Sequence, residues 1–208
     1  MSAVAALPHY DTGSATIQLV STGEQVPVTI IKNNHPSGEF SFNAYDESGQ
    51  NIGSVDCDWY RTKENGIYGS YDCPRVVRYD PNFKYGQDLE QANHLVIQTI
   101  DSYARNFYRG VGTVLVQAAI EYGYSLGCEG RVQLEAVRNS HCFYYKLGMR
   151  TGWEEIDEQI EKLAQTLKNR EVPKDFRAQR MHMPQEGIKM WRERISANPI
   201  FQLTALKI

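Results

Sequence analysis

Cysteine is scarce in this chain of 208 residues: Cys57, Cys73, Cys128 and Cys142 are the only four, and no two form a C-x-x-C pair. That excludes a disulfide scaffold and a cysteine-rich zinc site, so reduced thiols are expected. Long apolar runs are absent too. The uninterrupted aliphatic stretches, such as Leu95 to Ile97 and Val114 to Val116, are only a few residues long. A bilayer span needs roughly 20, so no transmembrane helix is expected. Residues Met1 to Tyr10 have no cationic start, and their apolar part, Ala3 to Leu7, is shorter than a signal-peptide core. A cytoplasmic protein is expected. Positive charge is not in excess: the net charge is −3, which argues against a general nucleic-acid binder. The charge is uneven, with 11 basic and 16 acidic side chains in 1–149 against 11 and 9 in 150–208. There is no internal repeat and no low-complexity tract.

What is present is ordinary globular composition, with 41% apolar, 11% aromatic and 23% charged residues. At this length it predicts one domain, spanning 1–208, with a buried core. Val, Ile and Thr from Thr16 to Lys32, broken at Ser21 to Glu24, predict strand, turn, strand. The breaker cluster Asn33 to Gly38 precedes alternating Phe40 and Phe42, and Asp46 to Gly49 separates these from Ile52 to Tyr60, which predicts an antiparallel hairpin. In 61–93, Ile67 to Tyr71 and Arg75 to Tyr79 look extended, Pro81 to Gly86 resembles loop and Gln87 to Asn93 a helical turn; the segment stays open. Leu95 to Ser102 fits strand and helix spacings, and its Ile, Val and Thr content favours strand.

From Thr113 to Gly127 the pattern is helical, with Leu115, Val116, Ala119, Ile120 and Gly123 in phase and Gly127 placed to end the helix. Arg131 to Val137 alternates as a strand. His141 to Leu147 predicts a short aromatic helix closed by Gly148. Thr151 to Glu154 has the capping-box pattern, and Trp153, Ile156, Ile160, Leu163, Ala164 and Leu167 line one face of a helix over about 153–169, a helical insertion (about 153–170) before the last strand. Acids crowd its start and bases its end, as the helix dipole favours. Arg177 to Met183 is a candidate strand, and Pro184 to Ser196 a last helix with Ile188, Trp191 and Ile195 inward.

The chemistry is expected where the strand 95–102 meets the glycine-bearing loop 107–112 and the following helix. Glycines let successive N–H groups and the positive helix end face a phosphate. No G-K-[ST] follows, which excludes a P-loop. Gly112 is followed by Thr113, Val114 and Leu115, which departs from the dinucleotide G-x-G-x-x-G.

The run Phe107-Tyr108-Arg109-Gly110-Val111-Gly112-Thr113-Val114-Leu115-Val116-Gln117-Ala118-Ala119 resembles the [Q/R]-x-x-G-x-[G/A] loop and helix of the GNAT superfamily, the acetyl-coenzyme-A-dependent N-acetyltransferases. Asn139-Ser140-His141-Cys142-Phe143-Tyr144-Tyr145-Lys146-Leu147-Gly148-Met149 is similar to that family's N-x-x-F-Y-x-K-x-G-F ending. The resemblance covers about residues 95 to 150. It implies an α/β (α+β) fold: a mixed, mostly antiparallel twisted sheet with one parallel pair around the loop and helices on both faces. It also implies acetyl-CoA as co-substrate and transfer of its acetyl group to a primary amine by direct attack. Backbone groups of Ile100, Asp101 and Ser102 would hold the pantetheine arm as an added strand. The loop residues Phe107, Tyr108, Arg109, Gly110, Val111, Gly112 and Thr113, with the amides of Tyr108 to Thr113, would hold the pyrophosphate, and Ser140 would lie near the thiol. Tyr144 matches the general acid that protonates the leaving thiolate. No metal is implied. A silent module that binds coenzyme A or a protein partner is the alternative.

Several residues have a plainer reading beside the chemical one. Tyr144 sits in an aromatic run, where tyrosines mostly serve the core. Glu135, the base favoured here, and His94 and Asp101 are candidate bases, and each also suits a structural or solvated role. His141-Cys142 invites a thiol-nucleophile reading, but adjacent helical residues point apart, so packing is preferred. Asp56, Asp58 and Asp72 could draw a cationic amine, or mark a solvent face. The stripe from Trp153 to Leu167 caps the core in one reading and makes a homodimer contact in another. The expected partner is an amine acceptor, small molecule or protein, with no nucleic acid and no membrane.

Overall fold

Alternation of apolar and polar side chains builds the N-terminal half as a meander of four strands. The computed structural model describes residues 12–36, 38–60, 93–137, 140–166 and 179–201. Strands β1 (Thr12–Leu19), β2 (Gln25–Asn34), β3 (Phe40–Tyr45) and β4 (Asn51–Tyr60) follow one another antiparallel. The β3–β4 turn closes on Asp46, whose Oδ1 accepts the N–H groups of Ser48 and Gln50 and the Ser48 hydroxyl. Then come β5 (His94–Ser102), β6 (Tyr108–Arg109), α1 (Val111–Ser125), β7 (Val132–Ala136), α2 (His141–Lys146), α3 (Glu154–Thr166), β8 (Gln179–His182) and α4 (Gln185–Ala197). The readings made for 61–92, and for Asn139 and Leu167, lie outside the described residues.

The strand order is β6-β1-β2-β3-β4-β5-β7-β8. Every neighbouring pair is antiparallel except β5 and β7, which run parallel. The mixed, mostly antiparallel sheet expected from the sequence is the observed one. A parallel pair needs a crossover, and β6 with α1 supplies it.

Helix α1 lies on this sheet with Val114 to Glu121 all buried, because a second layer covers its back. Its sheet side meets the inward residues of β3 to β5, including Phe42, Val55, Cys57, Leu95 and Ile97. It stops as the sequence predicts: Gly127 is left-handed (φ 74), its N–H reaches Tyr124 O at 3.1 Å, and Cys128 N–H reaches Gly123 O at 2.9 Å. These are the two bonds of a Schellman ending.

The buried polar pair on α1, Gln117 and Glu121, is spaced one turn apart and binds the chain that returns after α4. Glu121, wholly buried, accepts the N–H groups of Ile200 (2.9 Å) and Phe201 (3.1 Å) and the Gln117 amide (2.9 Å). Gln117 in turn donates to Asn198 O and accepts from Arg194 Nε. Phe201 is thereby seated against Phe42, ring centroids 5.8 Å apart. Burial holds the Glu121 carboxyl above its usual range despite these donors.

Two expectations around α3 are corrected. The capping box predicted Glu154 as the partner of Thr151; the partner is Asp157. Its carboxylate accepts the Thr151 N–H at 2.8 Å and hydroxyl at 3.0 Å, and the Gly152 N–H, while Thr151 Oγ1 accepts the Trp153 N–H. The helix starts at Glu154, so Asp157 at its fourth position is the carboxylate that reaches back. Trp153, expected inward, precedes the helix and is 40% exposed, while Ile160 is fully buried. In α4, Ile188, Trp191 and Ile195 face inward as expected.

Glu121→Ala should cost about 3 kcal/mol, because two backbone donors lose their acceptor at about 1–3 kcal/mol each; denaturant unfolding measures it. The raised carboxyl pKa means the folded state binds the proton more tightly than the unfolded chain. Stability should therefore fall as pH rises from the ordinary glutamate value of 4.5 upward, and Glu121→Ala should flatten that slope.

Candidate functional site

The parallel pairing of β5 with β7 is short. Leu95, Val96 and Ile97 face Val132, Gln133 and Leu134, and β5 then continues to Ser102 without β7 beside it. A bulge begins at the same point: Asp56 of β4 pairs with Thr99 and Cys57 with Ile97, so Gln98 has no opposite residue. The extra residue resets the alternation, turning Ile100 to the face that carries Leu95 and Ile97. Ile100, Asp101 and Ser102 stay paired to Val55, Ser54 and Gly53 on one side, and their other edge faces a split in the sheet. An open backbone edge is what strand addition requires.

The loop from β5 into α1 ends at that split. Gly110, the residue before α1, is left-handed (φ 93) and no side chain caps the helix. The amides of Val111, Gly112 and Thr113 form the first turn, which has no carbonyl of its own helix to bond, and no acid lies there. The dipole adds a partial positive charge, so this turn suits an anion. At Gly112 a Cβ would lie 3.0 Å from Phe143 Cζ and 3.8 Å from Ile100 Cδ1. The glycine thus lets α1, α2 and β5 converge.

The rest of the loop is held rather than free. The amides of Phe107 and Tyr108 both donate to Ala104 O at 2.9 Å, so these two are already committed within the loop. Phe107 O accepts Val20 N–H, β6 pairs with β1 at Gln18 and Leu19, and the Tyr108 hydroxyl donates to Asp46 Oδ2 at 3.2 Å. That bond ties the loop to the β3–β4 turn, and nothing local in the sequence marks a partner 62 residues away. The Phe107 side chain is 69% exposed and Arg109 is exposed.

Tyr144 of α2 is 5% exposed, its ring edge-on to Phe143 at 5.1 Å. Burial, and next the charge of Asp101, push its phenol up to about 12, which places Tyr144 within electrostatic reach of the open end of β5. Ser140, one residue before α2, donates its hydroxyl to Val137 O at 2.7 Å and keeps its lone pairs. Gly112 thus meets Ile100 and Phe143, the ring neighbour of Tyr144, and the charge of Asp101 is felt at the Tyr144 hydroxyl. Glu135 stands apart from the buried Leu134 and Ala136 on β7, exposed and in register with Arg180 of β8. His94 opens β5 opposite Tyr60. His141 is fully buried, and burial raises the Cys142 thiol pKa; its Sγ faces Ile160 O at 4.0 Å, so the pair belongs to packing. Asp72 lies outside the described residues.

A separate cleft of about 620 Å³ lies between α2, α3 and the start of α4, lined among others by Arg150, Trp153, Glu161 and Met190 and by no residue of 107–113. Among the described residues no three His, Cys, Asp or Glu side chains gather to hold a metal. No helix among them is long and apolar enough to cross a membrane.

No family model and no curated protein matches this chain. Solved structures similar to it include one described as a bacterial toxin, 17% identical with 74% of this chain and 72% of that one covered and a TM-score of 0.45. Naa20 of Chaetomium thermophilum, in complex with a bisubstrate analogue, is 14% identical over 72% and 68%, with a TM-score of 0.41. Nourseothricin acetyltransferase is 19% identical over 83% and 87%, with a TM-score of 0.36.

Replacing Asp101 by Asn should lower the Tyr144 pKa from about 12 toward the ordinary value of 10, since one of its two causes is removed. Titration of tyrosinate absorbance, read as the difference between each protein and its Tyr144→Phe counterpart, checks it.

Proposed function

We propose that the chain is an acetyl-CoA-dependent N-acetyltransferase acting on a primary amine. One observation carries the reading: the uncapped, acid-free helix start meets the open end of β5, Gly112 against Ile100, and packs on Phe143, the neighbour of the buried Tyr144. An extended amide-bearing arm ending in a pyrophosphate fits this arrangement, and the motif resemblance points to the same ligand. Ile100 to Ser102 would hold the arm through their backbone, and Val111, Gly112 and Thr113 the pyrophosphate. Bound acetyl-CoA would supply the thioester carbonyl at the split.

This chain's own groups then have defined tasks. The acceptor must present an uncharged nitrogen, so a base or water takes a proton from the ammonium; Glu135, His94 and Asp101 remain the candidates for that role. A C–N bond forms as the C–S bond breaks, the new amide nitrogen gives its second proton to the base or water, and the leaving sulfur takes a proton as it departs. Tyr144, protonated throughout the neutral range, is the proton donor to that sulfur. Its high pKa keeps the proton in place and makes the phenol a weak acid, so its donation is coupled to C–S cleavage rather than preceding it.

Calorimetric titration with acetyl-CoA should give saturable binding. Gly112→Val should weaken it at least tenfold, because the added side chain meets Phe143 at the helix start. Tyr144→Phe should keep the binding and lower turnover about a hundredfold or more. Binding by the wild-type protein without turnover on any amine would favour the silent module, and no binding at millimolar ligand would remove the reading.

A further inference from the structure

Helix α1 begins without a side-chain cap. A Ser, Thr, Asp or Asn in place of Gly110 would take up one of the first-turn N–H groups; the glycine supplies no acceptor. An open turn is what an anion needs, but an uncapped start also frays. Here the segment ahead of the helix is held from outside. Tyr108, two residues before Gly110, donates its hydroxyl to Asp46 Oδ2 at 3.2 Å. The other end of the loop is tied to the same β3–β4 hairpin: the Tyr103 N–H reaches Ile52 O at 3.0 Å, and the hydroxyls of Tyr103 and Ser54 lie 2.7 Å apart.

Asp46 is itself fixed before it meets the loop. Its Oδ1 accepts three donors of the turn, the N–H groups of Ser48 and Gln50 at 3.0 Å and the Ser48 hydroxyl at 2.6 Å. The turn is closed again by the backbone, Asp46 N–H to Gln50 O at 3.0 Å and Gly49 N–H to Asp46 O at 2.9 Å. Three bonds on one oxygen set the direction of the carboxylate, so the second oxygen is presented to Tyr108 in one orientation. On the loop side, Tyr108 and Arg109 pair with Leu19 and Gln18 of β1, and Phe107 O accepts the Val20 N–H at 2.8 Å. Both partners of the Tyr108–Asp46 bond are therefore held by their own neighbours, and the bond joins two pre-ordered pieces.

We propose that Asp46 and Tyr108 are positioning residues for the anion site: their hydrogen bond does from outside the helix what a capping side chain would do from within, keeping the first turn of α1 formed while its N–H groups stay open to a ligand. The inference rests on the acyl-transfer reading above in taking a pyrophosphate as that anion. A turn ordered before binding adds affinity, because the ligand does not bear the cost of ordering it. The bond therefore acts on the pyrophosphate end of the ligand. The arm along Ile100 to Ser102 and the chemical step do not depend on it.

The test is calorimetric titration of the full chain with ADP, which carries the pyrophosphate, with pantetheine, which carries the arm, and with acetyl-CoA. Hydrogen exchange of the Val114 amide, which donates to Gly110 O at 3.0 Å, reports the first turn without any ligand. Tyr108→Phe removes the hydroxyl alone. It should weaken ADP and acetyl-CoA by the same factor, about fivefold, the worth of one ordinary hydrogen bond. Pantetheine binding should stay as it was, and Val114 exchange should speed up several-fold. In turnover the KM for acetyl-CoA should rise while kcat holds. Asp46→Ala should lose as much ADP affinity, and adding Tyr108→Phe to it should lose no more. Should Asp46→Ala fail to fold, Tyr108→Phe alone decides. ADP bound with equal affinity by the wild type and Tyr108→Phe, pantetheine weakened as much as ADP, unchanged Val114 exchange, or additive losses in the double variant would overturn the proposal. Acetyl-CoA binding that Tyr108→Phe leaves untouched overturns this proposal alone. Faster Val114 exchange in a protein that binds neither ADP nor acetyl-CoA overturns the acyl-transfer reading and keeps the bond as the brace of the helix start.

Discussion

A parallel strand pair that stops after Leu95, Val96 and Ile97 is the constraint on which the rest of this structure depends. Parallel neighbours cannot be joined by a tight turn, so the chain must leave β5, cross over and return as β7. That crossover delivers the start of α1 to the carboxyl end of β5, the end at which open α/β sheets collect their ligands. Because the pairing ends where the bulge at Gln98 begins, the same end is also where the sheet parts. An uncapped helix start and an unpaired strand edge thus arise together from one topological fact.

Holding that arrangement requires α1 to be fixed along its length, and the fixing is polar as well as apolar. One side of the helix is pressed on the sheet by apolar contacts, which are strong but non-directional. The opposite side uses Gln117 and Glu121 to take up the backbone of 198–201, which sets the helix's rotation and draws Phe201 onto Phe42. At its start the loop is secured by β6 on β1 and by the Tyr108–Asp46 bond. The amides of Phe107 and Tyr108 are consumed in this bracing. What remains for an anion is the first turn of α1 itself.

Much of this was legible in the sequence because its causes are local. Periodicity marked the strands and α1, and a glycine after a helical run marked the Schellman ending at Gly127. Motif resemblance pointed to the loop and to Tyr144 as site residues. What escaped had non-local causes. Nothing local marks Glu121 and Gln117 as buried; their partners lie some 80 positions later. Asp46 looked like a turn residue, and it is one, but its second oxygen holds the loop. The capping of α3 failed for a subtler reason: Glu154 and Asp157 are both acids near a helix start, and spacing alone does not say which carboxylate turns back to Thr151.

The two faces of the sheet differ in electrostatic character. On the α1 side the helix start offers N–H groups and the positive end of a dipole, with no acid in its first turn. On the other side β4 and β5 present the exposed Asp56 and Asp101. The sheet is interrupted beyond Ile97, and the charge of Asp101, on the strand end past that point, is felt at the Tyr144 hydroxyl.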